Sequence, residues 1–291
     1  MMKLHYTLLF LLTISFRLAA QEEESSTYPL GVFADNQQTL VFGSTINVRQ
    51  SPAKDASVVA QLSAGDAVTV LATDAATLRL NGWTAPWVKI AFRKDGKRLE
   101  GYAWAGVLCP SSVRLGDVTI VYGITKAEIE KIENAGDGGQ GSSGKYAVEI
   151  RALRGNQILS TVATTVFMDG GYYSQFTKYN NLGIKQFKNW VKLSYNFDAC
   201  GYPSYEIWCA WDGAKLTMLP VLSTISDAGV FFDSESYLFP ETEGGLPDVL
   251  LYQHEHGEGM IEDGASDYTK QLRTMTWNGK AYLKPKLKGQ D

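Results

Sequence analysis

At 291 residues, with 45% hydrophobic and 20% charged side chains, the chain has the composition of a folded protein rather than a disordered one, and its length suits two domains. A formal charge of −4, from 27 basic against 31 acidic residues, argues against nucleic acid or anionic lipid as partner, because such binding needs clustered Lys and Arg to release counterions. The basic runs are short: Arg93 to Arg98 reads as a hairpin tip, and Lys284 to Lys288, within residues 284–291, as a solvated tail.

Residues 1–20 carry Lys3, the apolar run Leu8 to Ile14 and the small pair Ala19-Ala20, the pattern of a secretory signal peptide. The run is too short to span a bilayer, and no later stretch is long and apolar enough to do so. Export to the periplasm or the extracellular space is therefore expected. No Cys follows the expected cleavage point to carry a lipid. Residues 21–34 are acidic or polar at first, without periodicity, and read as a flexible lead.

From residue 35 to 112 the texture is short β-rich runs broken by turns. Val58 to Leu62 and Ala67 to Leu71 flank a Ser-Ala-Gly-Asp turn, and Trp87 to Phe92 alternates before the turn at Asp95-Gly96. A small barrel is the economical reading. Ile46-Asn47-Val48-Arg49-Gln50-Ser51-Pro52, the stretch Val59 to Val70 with Gly65 at its turn, Trp87-Val88-Lys89-Ile90, and Gly101-Tyr102-Ala103-Trp104 with Val107-Leu108 follow one another as in bacterial SH3-like domains, which this segment resembles. Gln50-Ser51 departs from that family's usual Ser-Gly. The resemblance implies a bacterial envelope setting and a domain that binds cell-wall peptide or glycan, or an envelope protein. Some aromatics of such a barrel fill its core and others line a groove. Trp83, in what reads as a loop from Asn81 to Pro86, is the leading ligand contact, with Trp104 and Tyr102 beside it.

Thr125-Lys126-Ala127-Glu128 has the spacing of a capping box, and Ile124, Ile129 and Ile132 supply an apolar stripe. They predict one short connecting helix, stopped at Gly136, and then a mobile Gly/Ser-rich loop from Asp137 to Gly144. Residues 117–283 otherwise read as an antiparallel β domain, a sandwich or a partial propeller. Trp211-Asp212-Gly213, Trp277-Asn278-Gly279 and, more faintly, Leu153-Arg154-Gly155-Asn156 echo one another and are similar to integrin-type propeller repeats, although Asp-Gly and Asn-Gly are also the favoured hairpin turns. The fold class expected is thus mainly β: a small SH3-like barrel, a short helix and an antiparallel β domain.

No intact catalytic motif stands out. Gly139 to Lys145 fits a phosphate-binding loop until Tyr146 replaces the hydroxyl that would hold magnesium. Asp198-Ala199-Cys200-Gly201 is similar to the nucleophile motif of NlpC-type cell-wall cysteine peptidases, with His254 or His256 downstream as base, but Ala199 interrupts the motif and the following residues read as a strand rather than the helix that lowers a thiol pKa. His254 and His256 share one face of a strand and offer a weak metal pair beside a solvated-tip reading. The chain has three cysteines. Cys200 and Cys209 bracket a turn and are the pair to expect in a disulfide, leaving Cys109 free. The expectation is a non-enzymatic exported binding protein needing no cofactor, with the cysteine peptidase using Cys200 and His254 as the alternative.

Overall fold

A computed structural model describes residues 27–29, 32–135, 139–169, 171–227, 230–259 and 267–287. The expected leader peptide lies outside them. β1 (Thr27–Pro29) falls within the stretch read as a flexible lead, yet it is a strand, held antiparallel to residues 173–175 far downstream.

β2 (Gln38–Leu40), β3 (Thr45–Arg49), β4 (Val58–Ser63), β5 (Ala67–Leu80), β6 (Trp83–Lys94) and β7 (Lys97–Trp104) form a six-stranded sheet in the order β2-β5-β6-β7-β3-β4. Two hairpins shape it. Asn81-Gly82 joins β5 to β6 and Asp95-Gly96 joins β6 to β7, with φ of 52°, 88°, 51° and 75° in turn. Two successive left-handed residues make a turn whose twist matches that of the strands it joins. The inward residues Ile46, Val48, Leu62, Val68, Val70, Val88, Ile90 and Phe92 are all buried. A single 3-10 turn at Ala105–Val107 closes the unit.

β8 (Ser112–Leu115), β9 (Val118–Ala135), β10 (Gly139–Arg154) and β11 (Gln157–Asp169) make a four-stranded sheet in the order β11-β10-β9-β8. This corrects the expected helix: residues 125–135 are the second half of β9, paired with β10 as far as Ala135 and Gly139. The register slips at Thr125, between the pairs Ile124 with Val148 and Lys126 with Ala147. One extra residue switches the parity of a strand. Ile120, Tyr122 and Ile124 before the slip and Ala127 after it are all buried, with Ile129 packed against the same core. The odd, five-residue step that set Ile124 and Ile129 in one apolar stripe is that bulge. Residues 139–144, expected as a mobile loop, open β10; residues 136–138 lie outside the described set.

β12 (Tyr173–Tyr179), β13 (Asn189–Asn196), β14 (Ser204–Trp211), β15 (Leu216–Met218), β16 (Leu222–Asp227), β17 (Phe231–Leu238), β18 (Leu251–Glu258) and β19 (Thr269–Thr274) join β1 in a nine-stranded sheet ordered β1-β12-β13-β14-β16-β17-β18-β19, with β15 beside β14. β20 (Thr276–Trp277) and β21 (Tyr282–Leu283) form a separate ribbon. The echoing Gly155, Gly213 and Gly279 turns sit in sheets of four, nine and two strands, which are not equivalent four-stranded blades, so their likeness is hairpin chemistry.

One apolar core runs through all three large sheets, from Trp87 and Trp104 through Tyr122, Ile150 and Met168 to Phe176, Leu193, Tyr195 and Ile207. A second core, around Trp190, Trp208, Phe239 and Tyr252, reaches Leu287. The start of the expected basic tail is thus tied down, and the Lys284 ammonium donates to Glu235. Where the cores hold hydroxyls, partners matter. Tyr122 shares a hydrogen bond of 2.8 Å with Ser174, whereas the buried Tyr195 hydroxyl has no partner among the described residues. An unpaired buried hydroxyl costs its desolvation. Tyr195→Phe should accordingly leave stability unchanged or raise it by up to about 1 kcal/mol in urea unfolding; a loss above that size would show that the hydroxyl is bonded.

Candidate functional site

The sequence-predicted contacts divide sharply in the folded chain. Trp83 is 7% and Trp104 4% exposed. Their rings pack at 5.1 Å, and the Trp104 indole donates to the carbonyls of Leu78 and Ala85. Trp83 is not in a loop: the two-residue Asn81-Gly82 turn puts it at the start of β6, facing inward beside Phe33, Leu108, Tyr122, Ile124 and Tyr195. Both tryptophans are core and joint residues, and neither presents a face to a ligand.

The joint is backbone-deep. The Ala127 amide of β9 donates to the Asn81 carbonyl at 2.8 Å, and a Cβ on Gly82 would stand 1.7 Å from the Ala127 carbonyl oxygen. Nearby, Phe42 lies against Gly123, where a Cβ would meet its ring at 2.6 Å. The Arg151 guanidinium sits 4.1 Å over that ring and donates to the Phe42 carbonyl. The SH3-like unit is therefore seated firmly on the four-stranded sheet.

Beyond the joint, the side of β7 that carries Trp104 continues to Tyr102 and then to the exposed Glu100 and Arg98, and this stretch is the outer face of the unit's sheet. Strand pairing sets Lys89 beside Tyr102, and Tyr102 beside Arg49, which in turn stands beside Val58. One step along, Thr69 pairs Ala91 and Ala91 pairs Glu100; at the far end Arg93 pairs Arg98. Directly paired residues lie on one side of a sheet, so these rows make a continuous surface. Tyr102 is half-buried, Val58 and Val59 are exposed, and Lys89 bridges Glu100 at 3.0 Å. Toward the β6-β7 tip the surface opens into a cleft of about 580 Å³, with Thr69 and Ala91 in its lining, Asn36 and Gln38 on β2's side and Arg93 and Arg98 on the other. The face is cationic on an acidic chain. Lys89, Arg93 and Arg98 were legible as the polar half of the alternating β6-β7 pattern, but a run of charges at a hairpin tip says nothing of the concavity beside it.

The alternative chemistries are not assembled. Cys109, Cys200 and Cys209 are all free, so the expected Cys200–Cys209 disulfide is absent. Cys209 is fully buried on β14 opposite Val191, and Cys200 lies exposed in the preceding turn. Burial pushes the Cys209 thiol far up, and the Cys109 thiol likewise. In the native chain only Cys200 should react with a thiol reagent, Cys109 and Cys209 following on denaturation; mass mapping that finds Cys209 alkylated in the native state contradicts this burial.

Cys200 also lacks its base. Its turn is bonded to β16 through the Gly201 amide and the Ser226 carbonyl, and β17 stands between β16 and β18. At about 4.8 Å per strand, β18 lies on the order of 10 Å away. His254 Nε2 and His256 Nδ1 instead face the same oxygen of Asp233, at 3.0 and 3.2 Å. The two imidazoles share a face as expected, but among the described residues no group of three His, Cys, Asp or Glu is arranged to hold a metal ion. Glu262 and Asp263, the neighbouring acids, lie outside those residues.

Residues 44–108 match the bacterial SH3 domain family. No curated protein and no solved structure matches the chain. Domains of this type commonly bind cell-wall components and are often extracellular or wall-associated. Among the described residues no helix is long and apolar enough to cross a membrane.

Proposed function

From the premise that this chain carries a bacterial SH3-like domain, we propose that it is an exported binding protein of the bacterial envelope whose outer SH3-like face, centred on Tyr102, takes a cell-wall peptide or glycan. The observation that carries this reading is the division of the aromatics: Trp83 and Trp104 are consumed by the core, while Tyr102, two residues along β7 from Trp104, remains half-buried between Arg49 and Lys89 beyond the joint. A ring flanked by cations, with exposed valines beyond it, supplies stacking area, charge and apolar contact together. The four-stranded sheet serves as the scaffold on which the domain is seated.

Sedimentation with purified peptidoglycan tests the proposal. The full chain should pellet with it, and Tyr102→Ala should weaken binding about ten-fold, the order expected when a central aromatic anchor is removed. A Trp83→Phe variant, altered in the joint rather than on the face, should bind as the parent does. Equal binding by the Tyr102→Ala variant would move the site elsewhere, and failure of the parent to pellet would end the proposal.

A further inference from the structure

The geometry points to a carboxylate-bearing wall peptide as the occupant of the cleft between β2 and the β6-β7 hairpin, with its terminal carboxylate held between Arg93 and Arg98. The inference rests on the reading of the outer face as the ligand surface, and it names the chemistry that the cleft recognises. Arg93 and Arg98 are direct cross-strand partners on one face. Like charges so placed repel and destabilise a sheet, and neither guanidinium is satisfied from within. Arg93 has no hydrogen bond or ion pair among the described residues, and Arg98 reaches Glu100 only at 3.5 Å while its side chain stays 63% exposed. An anion placed between the two removes the repulsion. The planar fork of each guanidinium matches a carboxylate.

The remaining walls argue for a peptide around that carboxylate. Asn36 and Gln38 face the cleft, with no side-chain hydrogen bond of their own among the described residues. A side-chain amide offers a donor and an acceptor, the pair that a peptide group needs. Ala67 and Ala91 keep the lining low, which admits a backbone with small side chains. Asp66, the one acid in the lining, accepts from the Ser63 amide and from Asn156, both at 2.7 Å, and so is engaged with the protein itself.

The test uses the full chain and three probes: a short synthetic stem-type peptide with a free C-terminal carboxylate, the same peptide amidated, and a glycerol phosphate oligomer. Binding is followed by NMR at the Thr69, Ala91, Arg93, Arg98 and Tyr102 resonances. The acid should bind at least about ten-fold more tightly than the amide, the order of one charge-assisted hydrogen bond. R93Q/R98Q, both on exposed side chains and checked for an unchanged fold by its remaining resonances, should erase that preference. Equal binding of acid and amide, retention of the preference in R93Q/R98Q, or oligomer binding as tight as the acid's overturns the carboxylate assignment. If acid and amide bind equally and Tyr102→Ala weakens both, the ligand face stands and only this inference falls. If no probe shifts any of these resonances, both fall.

Discussion

In a Gly82→Val variant, the SH3-like unit should lose its seat on β9 and the whole chain should become less stable by about 3 kcal/mol or more. Two costs combine. Gly82 has φ of 88°, a conformation that is strained for a β-branched residue. The added Cβ also lands 1.7 Å from the Ala127 carbonyl oxygen, a backbone atom that cannot turn aside as a flexible side chain would. Relief requires opening the hairpin tip from β9, which breaks the bond from the Ala127 amide to the Asn81 carbonyl and uncovers Trp83. Urea unfolding reads the effect, and Trp fluorescence should redden as the joint opens. A loss below about 1 kcal/mol, within the range of an ordinary surface change, would show that the joint does not hold the two parts together.

Trp190→Ala is the second large effect, in the other core. Trp190 is completely buried, packs edge-on against Phe187 at 5.1 Å and Phe239 at 4.9 Å, and donates its indole N–H to the Asn181 carbonyl at 3.0 Å. Truncation leaves a cavity and removes one of the two donors to the Asn181 carbonyl, which keeps the Ile184 amide at 2.9 Å. Cavities of this kind cost about 3–5 kcal/mol. The loops that bring Phe187 and Phe239 over the sheet should loosen with it, visible as faster amide exchange near residues 182–187. Unchanged exchange there, with a stability loss under about 2 kcal/mol, would contradict the role given to this ring.

The β class and the SH3-like segment were legible because they rest on local signals: alternation in Trp87 to Phe92, the Asp95-Gly96 turn and four ordered motifs. The same turn chemistry at Asn81-Gly82 was available too, flanked by Leu80 and Trp83, and reading it as a hairpin rather than a loop turns Trp83 from a ligand contact into a core residue. β9 was illegible for a different reason. Its capping-box spelling is local, whereas its strand pairing spans the whole of β10, and such long-range partners override propensity. The bulge at Thr125 then hid the strand's own period. Of the expected site, Tyr102 alone stands where a ligand can reach it. Cys200 and His254 belong to turns and strands that only the order of the nine-stranded sheet separates, and no spacing along the chain records that order. Arg93 and Arg98 were visible as charges, but their meeting across a hairpin, and the cleft beside them, are properties of the curled sheet.

The central claim is that the outer face of the SH3-like domain is where this protein binds. Mapping NMR shift changes on the full chain during titration with soluble peptidoglycan fragments tests it most directly. The predicted result is a contiguous set of perturbed amides at Arg49, Thr69, Lys89, Ala91 and Tyr102, with β17, β18 and β19 silent. Perturbations confined to the nine-stranded sheet, or an unchanged spectrum at saturating fragment, would contradict it.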